Sequence, residues 1–235
     1  MKKLAIFVEG QTEVIFVEKL LKEIGNKKSI SVTKKELKGG RSCPTTIRLI
    51  GKDEVTENTQ YQILIYSSCN DEKVLSDIKE QYESLIHNGY EAIIGLRDLF
   101  PTEYSQLNRI QNRINFVLSN QELNKAKIVI AVMEVETWFL AETTHFNKIH
   151  SDLTEDSIKN ILDFNTISNF EKDVSNPADT LNNIYKLIGF AYKKKEKQVQ
   201  RTVDNLDYEE LYINTRNNLS SLNEFLNYID SFFET

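Results

Sequence analysis

The chain has 235 residues, 40% of them hydrophobic, which is enough for a sizeable core and too many for a globally disordered chain. Its 29 cationic and 35 acidic side chains give a net charge of −6, which argues against a general nucleic-acid coat, since affinity for phosphates comes from clustered cations. Two cysteines provide neither a disulfide framework nor a metal knuckle, no apolar run approaches a membrane span, and a cytoplasmic protein is expected.

In chain order, residues 4–8 form a short apolar run that stops at Glu9 and Gly10 and reads as a buried strand. Residues 12–24 place Val14, Val17, Leu20, Leu21 and Ile24 at helical spacing, with Thr12 a candidate cap and Gly25 a plausible stop. Residues 29–37 alternate weakly and predict a second strand, followed by a loop at Gly39 and Gly40. Residues 62–66 predict a third strand, 71–87 an amphipathic helix capped by Asp71, 91–96 a fourth strand, 104–118 a helix and 127–133 a fifth strand. Strands separated by helices of this length imply right-handed crossovers and a mostly parallel sheet flanked by helices. From about residue 154 only helical periodicity remains, in 158–164, 177–190, 194–205, 208–212 and 219–232. The expected organisation is an α/β domain over residues 1–150 and a helical C-terminal extension over 151–235.

Charge is unevenly spread. Residues 27–52 hold eight cations against Glu36 alone, and residues 186–201 hold six against Glu196. Acids collect at strand ends instead: Glu9 after the first strand, Asp98 after the fourth, Glu134 and Glu136 after the fifth, with Glu13 one helical turn beyond Glu9. A parallel sheet puts such ends along one edge, where open α/β sheets bind ligands. Strand pleating would also set Glu134 and Glu136 on one side of their strand. Crowded carboxylates repel one another, and a hard divalent cation relieves that conflict. Magnesium or manganese is therefore the expected cofactor, able to polarise a phosphoryl oxygen and activate water. Trp138 reads as a core anchor for the segment behind the acid pair.

With these residues assembled, VEGQTE at 8–13 resembles the opening motif of TOPRIM domains, especially those of the OLD (overcoming lysogenization defect) nucleases. IIGLRDLFP at 93–101 and AVMEVETWFLAE at 131–142 look like a bacterial TOPRIM-like family found in abortive-infection phage-defence operons, beside an SMC- or ABC-like ATPase. The likeness continues loosely through NPADTL at 176–181 and AYKKK at 191–195.

The resemblance implies a TOPRIM-like fold, with Glu9 as metal ligand or general acid/base, Glu13 as second acid and Asp98 as the first Asp of an Asp-x-Asp pair. The chain departs from that pair, reading Asp98, Leu99, Phe100, so Glu134 or Glu136 would supply the missing carboxylate. One of Lys193, Lys194 and Lys195 would act as the phosphate-binding lysine, assigned here to Lys194. Lys34, Lys35, Lys38 and Arg41, with Lys193 and Lys195, would guide a nucleic-acid backbone.

Two functions follow. One is a magnesium- or manganese-dependent nuclease acting on DNA or RNA, a phage-defence effector controlled by an OLD-type ATPase. The other is an interaction subunit that keeps its acids as remnants and docks on that ATPase through exposed Tyr185, Tyr192, Tyr208 and Tyr212. Homo-oligomerisation fits either.

Overall fold

The computed structural model describes residues 1–25, 29–40, 43–69 and 73–234; Arg41 and the expected cap Asp71 lie outside them. The chain forms two compact units. The first comprises Met1–Arg97, Asn108–Ile130 and Asn227–Thr235; the second comprises Asp98–Leu107 and Ala131–Leu226.

In the first unit, strands β1 (Lys2–Val8), β2 (Ile30–Gly40), β3 (Cys43–Lys52), β4 (Tyr61–Ser67), β5 (Ala92–Asp98) and β6 (Ala126–Ala131) form a sheet in the order β3-β2-β4-β1-β5-β6. Its helices are α1 (Gln11–Ile24), α2 (Val74–His87) and α3 (Leu107–Asn120), the last preceded by a 3-10 turn at Tyr104–Gln106. Strand β1 is central and pairs in parallel with β4 and β5, Val8 lying opposite Ser67 on one side and Leu96 on the other. Its run from Leu4 to Val8 is fully buried, as a strand covered on both faces requires. Helix α2 comes so close to β5 that a Cβ on Gly95 would lie 2.9 Å from Ile128 and from Ile78, so only glycine fits there.

The sheet is mixed rather than wholly parallel: β2 pairs in parallel with β4 and antiparallel with β3. Strand β3 has no counterpart among the predicted elements. It is an edge strand whose Ile47, Leu49 and Ile50 are exposed, so it lacks the alternation of buried and solvated residues by which strands are recognised. The helix after β1 is capped at Gly10, not at Thr12; Thr12 is buried in the first turn, and the Glu13 carboxylate accepts the Gly10 N–H at 2.8 Å.

The second unit is helical: α4 (Glu136–Ala141), α5 (His145–Ile149), α6 (Glu155–Ile158), α7 (Phe170–Asp173), α8 (Pro177–Lys186), α9 (Glu196–Asn205), α10 (Tyr208–Ile213) and the first part of α11 (Ser220–Glu234). Proline at the start of α8 suits a position whose N–H has no helical partner. Trp138 is fully buried, and its indole N–H donates to Ser221 Oγ at 2.9 Å. Ser221 in turn donates through its backbone N–H and hydroxyl to Glu171, which also receives both donors of Ser220. One carboxylate thus satisfies the start of α11 and, through Ser221, fixes α4. No described helix is long and apolar enough to cross a membrane.

Glu142, at the end of α4, is fully buried and accepts from the Asp207 N–H at 3.0 Å and the Thr144 N–H at 2.8 Å, with His145 Nδ1 3.5 Å away. Burial alone would raise its pKa, but His145, Thr144 and Asp207 outweigh it and hold the carboxyl below its usual value. A depressed pKa means that the stabilisation is complete above the ordinary carboxylate range and is lost as pH falls through the lower folded value. Glu142→Gln is therefore expected to cost roughly 1–3 kcal/mol of unfolding free energy at pH 7, and the deficit should shrink as pH falls below about 4. Urea unfolding of both proteins across that range checks it; a deficit independent of pH contradicts the assignment.

Candidate metal centre

Strand β6 ends at Ala131, before the acids. Met133 takes a left-handed backbone (φ 61°), and its carbonyl accepts the Phe100 N–H at 2.8 Å. The chain then turns: Thr137 N–H donates to Glu134 O at 3.0 Å, and Glu136 opens α4. The expectation that strand pleating aligns Glu134 and Glu136 is therefore incorrect. A turn leading into a short helix brings them together, and Thr137 Oγ1 ties the turn back to the Val132 carbonyl at 3.0 Å.

Asp98, the last residue of β5, meets this turn. Its Oδ1 accepts the Val135 N–H at 3.1 Å. Asp98, Glu134 and Glu136 are all buried, and each offers a carboxylate oxygen lying within 4.8 Å of the others. Lys194, also left-handed (φ 53°), extends its ammonium to 2.7 Å from Glu134 Oε1 and 3.2 Å from Glu136 Oε2. Burial alone would lower the pKa of Lys194, but the charges of Glu136, Glu134 and Asp98 reverse this and hold it well above the ordinary lysine value.

Two further groups brace the cluster. The backbone N–H of Ala178, in the first turn of α8, donates to Glu134 Oε2 at 3.1 Å, where the helix dipole also favours negative charge. The Tyr192 hydroxyl donates to Glu136 Oε1 at 2.9 Å, while the Tyr192 N–H donates to Asn182 Oδ1 at 3.0 Å and so ties the segment carrying Lys194 to α8. Neither contact is foreseen from the sequence. Tyr192 and Ala178 lie inside AYKKK and NPADTL, yet only the assembled helices show that these two stretches face Glu134 and Glu136.

The donor set suits a hard divalent cation: it is all oxygen, carboxylate and buried, without the thiolates or imidazoles of a structural zinc site. Charge leads to the same result. With the carboxylates ionised, three negative groups face one ammonium, and a divalent cation would neutralise what remains among these four side chains.

The profile of a family described as "Domain of unknown function (DUF4276)" matches residues 8–223, a span that includes the whole cluster. The chain belongs to the DUF4276 family. Neither a curated protein nor a solved structure matches it.

In this DUF4276 chain, Asp98, Glu134, Glu136 and Lys194 come together within the second unit. Glu9 and Glu13 belong to the first unit, where both are buried, Glu9 directly after β1 and Glu13 on the Gly10 N–H. Lys34 is turned onto Glu18 at 2.6 Å, Lys35 lies over the Tyr66 ring, and Lys38 reaches Glu36, as does Arg48. Lys193 and Lys195 are exposed. Tyr185, Tyr192 and Tyr208 are buried, not exposed: their rings fill the helical core, and their hydroxyls bond Thr202, Glu136 and the Val203 carbonyl.

If repulsion among the carboxylates is the dominant energy here, Asp98→Asn, which keeps an acceptor for Val135, should leave the protein in EDTA more stable by roughly 1 kcal/mol, as expected where a functional site is strained. It should also abolish any rise in melting temperature on adding Mn²⁺. A loss of stability in EDTA, or an undiminished Mn²⁺ response, contradicts this.

Proposed function

We propose that this DUF4276 protein is a divalent-metal-dependent phosphodiesterase acting on nucleic acid. The observation that carries the reading is the buried carboxylate triad with an ammonium beside it. Bound there, Mg²⁺ or Mn²⁺ would polarise a phosphoryl oxygen and lower the pKa of a water. Asp98, Glu134 and Glu136 would hold the ion, with Glu134 and Glu136 replacing the second acid that the stretch Asp98, Leu99, Phe100 lacks. Ala178 N–H and Tyr192 Oη–H keep two of these carboxylates oriented, leaving their other oxygens to the ligand. Lys194 provides positive charge for the phosphoryl group, where charge builds in the transition state. Exposed Lys193 and Lys195, on either side of Lys194, would contact the backbone.

Glu9 and Glu13 enter through the likeness of VEGQTE to TOPRIM motifs, as does control by a partner ATPase in phage defence. A second reading, as an interaction subunit, no longer rests on Tyr185, Tyr192 and Tyr208; of the four tyrosines, Tyr212 alone is half-buried rather than buried. It is favoured instead by the exposed Ile47, Leu49 and Ile50 of edge strand β3, a surface suited to strand addition by a partner.

The test is cleavage of plasmid DNA, oligonucleotides and structured RNA with Mg²⁺ or Mn²⁺. Wild type should cut at least one of them and be silenced by EDTA, while Asp98→Asn and Glu134→Gln should each lose about 100-fold or more in rate. Glu9→Gln should do likewise if the TOPRIM likeness carries function. Equal rates for wild type, Asp98→Asn and Glu134→Gln would remove the assignment. Absence of cleavage together with capture of an ATPase that is lost in Leu49→Asp would establish the second reading.

A further inference from the structure

We propose that Lys194 is the resident counter-ion of the carboxylate triad, and that a divalent cation binds by displacing its ammonium from Glu134 and Glu136. The inference rests on the metal reading above and concerns how the site is loaded. The ammonium already lies on oxygens that a metal ion would need, 2.7 Å from Glu134 Oε1 and 3.2 Å from Glu136 Oε2. An ammonium satisfies carboxylates by hydrogen bonds, and a metal ion does so by taking the same lone pairs. Two cations competing for those oxygens in a buried, weakly screened site repel each other strongly, so one of them must leave.

The surroundings decide which. The side chain of Glu136 is fully buried and that of Glu134 is 10% exposed, whereas that of Lys194 is 37% exposed. Asp98, Glu134 and Glu136 are held by Val135, Ala178 and Tyr192, on elements packed in the helical unit. Lys194 hangs on a flexible four-carbon stem in the segment between Tyr192 and α9, flanked by the exposed Lys193 and Lys195. With 37% of its side chain already exposed, its head group can reach solvent by rotation about that stem. The carboxylates stay and the ammonium moves. Exchange explains how a metal-dependent site stays folded without its metal: the ammonium meets one of the three negative charges until a divalent ion takes its place and meets two. It also orders events, because the ammonium becomes available to an anionic ligand only after the ion has taken its place.

The experiment combines calorimetry with lysine footprinting on wild-type protein. Acetylation of Lys193, Lys194 and Lys195 is followed by mass spectrometry in EDTA and in Mn²⁺, the two exposed neighbours serving as internal references. Displacement predicts that Lys194 is modified at least about threefold faster, relative to both neighbours, once Mn²⁺ is bound. An unchanged or lower ratio while calorimetry records Mn²⁺ uptake overturns the exchange but leaves the metal site standing. No uptake at all overturns the metal reading itself, and the exchange with it. In parallel, Lys194→Met should bind Mn²⁺ roughly tenfold more tightly, because no internal cation has to be expelled. Equal or weaker affinity again overturns the exchange. If Lys194→Met does not fold, the wild-type footprint decides alone.

Discussion

Three carboxylates confined within 4.8 Å of one another repel strongly inside a protein, and the second unit is organised around containing that repulsion. Asp98 is held by the Val135 N–H, Glu134 by the first turn of α8 and Glu136 by the Tyr192 hydroxyl, while Lys194 contributes the opposing charge. These partners come from three stretches of sequence: the turn at Val135, the start of α8, and the segment that carries both Tyr192 and Lys194. The left-handed conformations of Met133 and Lys194 mark where the backbone bends to reach this arrangement. Non-glycine residues held this way cost of order 1–3 kcal/mol each and gather where function requires them. Among the described residues, Met133 and Lys194 are two of four such non-glycine residues, the others being Cys69 and Glu122.

The supporting architecture is correspondingly stiff. Trp138 and Ser221, bridged to Glu171, lock the helix that Glu136 begins, and Asn182 fixes the chain two residues ahead of Lys194. The left-handed residues and the helix start set where the side chains point, and the buried aromatics behind them keep the setting. A site built in this manner holds its geometry without a ligand, which is the property that a metal centre shares with a preorganised transition-state site.

Much of this was legible in the sequence, and the failures have specific causes. Strands β1, β2, β4, β5 and β6 and helices α1, α2 and α8 could be read because burial imposes a period on their residues. Strand β3 could not, because an exposed edge imposes none. Glu134 is identifiable because it follows an apolar run directly, and Asp98 and Glu136 because they stand at or just beyond the ends of predicted strands. Their convergence follows from strand ends only in part: pleating would align Glu134 with Glu136 along a strand, whereas the strand ends at Ala131 and a left-handed turn brings them together. For the tyrosines of the C-terminal region, a docking surface and an ordinary core are both open readings, because helical spacing says which residues share a face, not which face is covered. Tyr192 is the instructive case, a supposed docking residue that instead braces the carboxylates.

Membership of DUF4276 supplies no activity, so function rests on the chemistry of the cluster. An all-oxygen, buried, negatively charged set with one lysine is what a hard divalent cation and a phosphoryl group together would need. The central claim is that an ion completes the triad. The most direct measurement is the anomalous difference density of a crystal grown with Mn²⁺. A peak at bonding distance from carboxylate oxygens of Asp98, Glu134 and Glu136, with Lys194 withdrawn from Glu134, is the predicted result. A saturating Mn²⁺ soak that leaves the triad without a peak and the Lys194 ammonium still on Glu134 would contradict it.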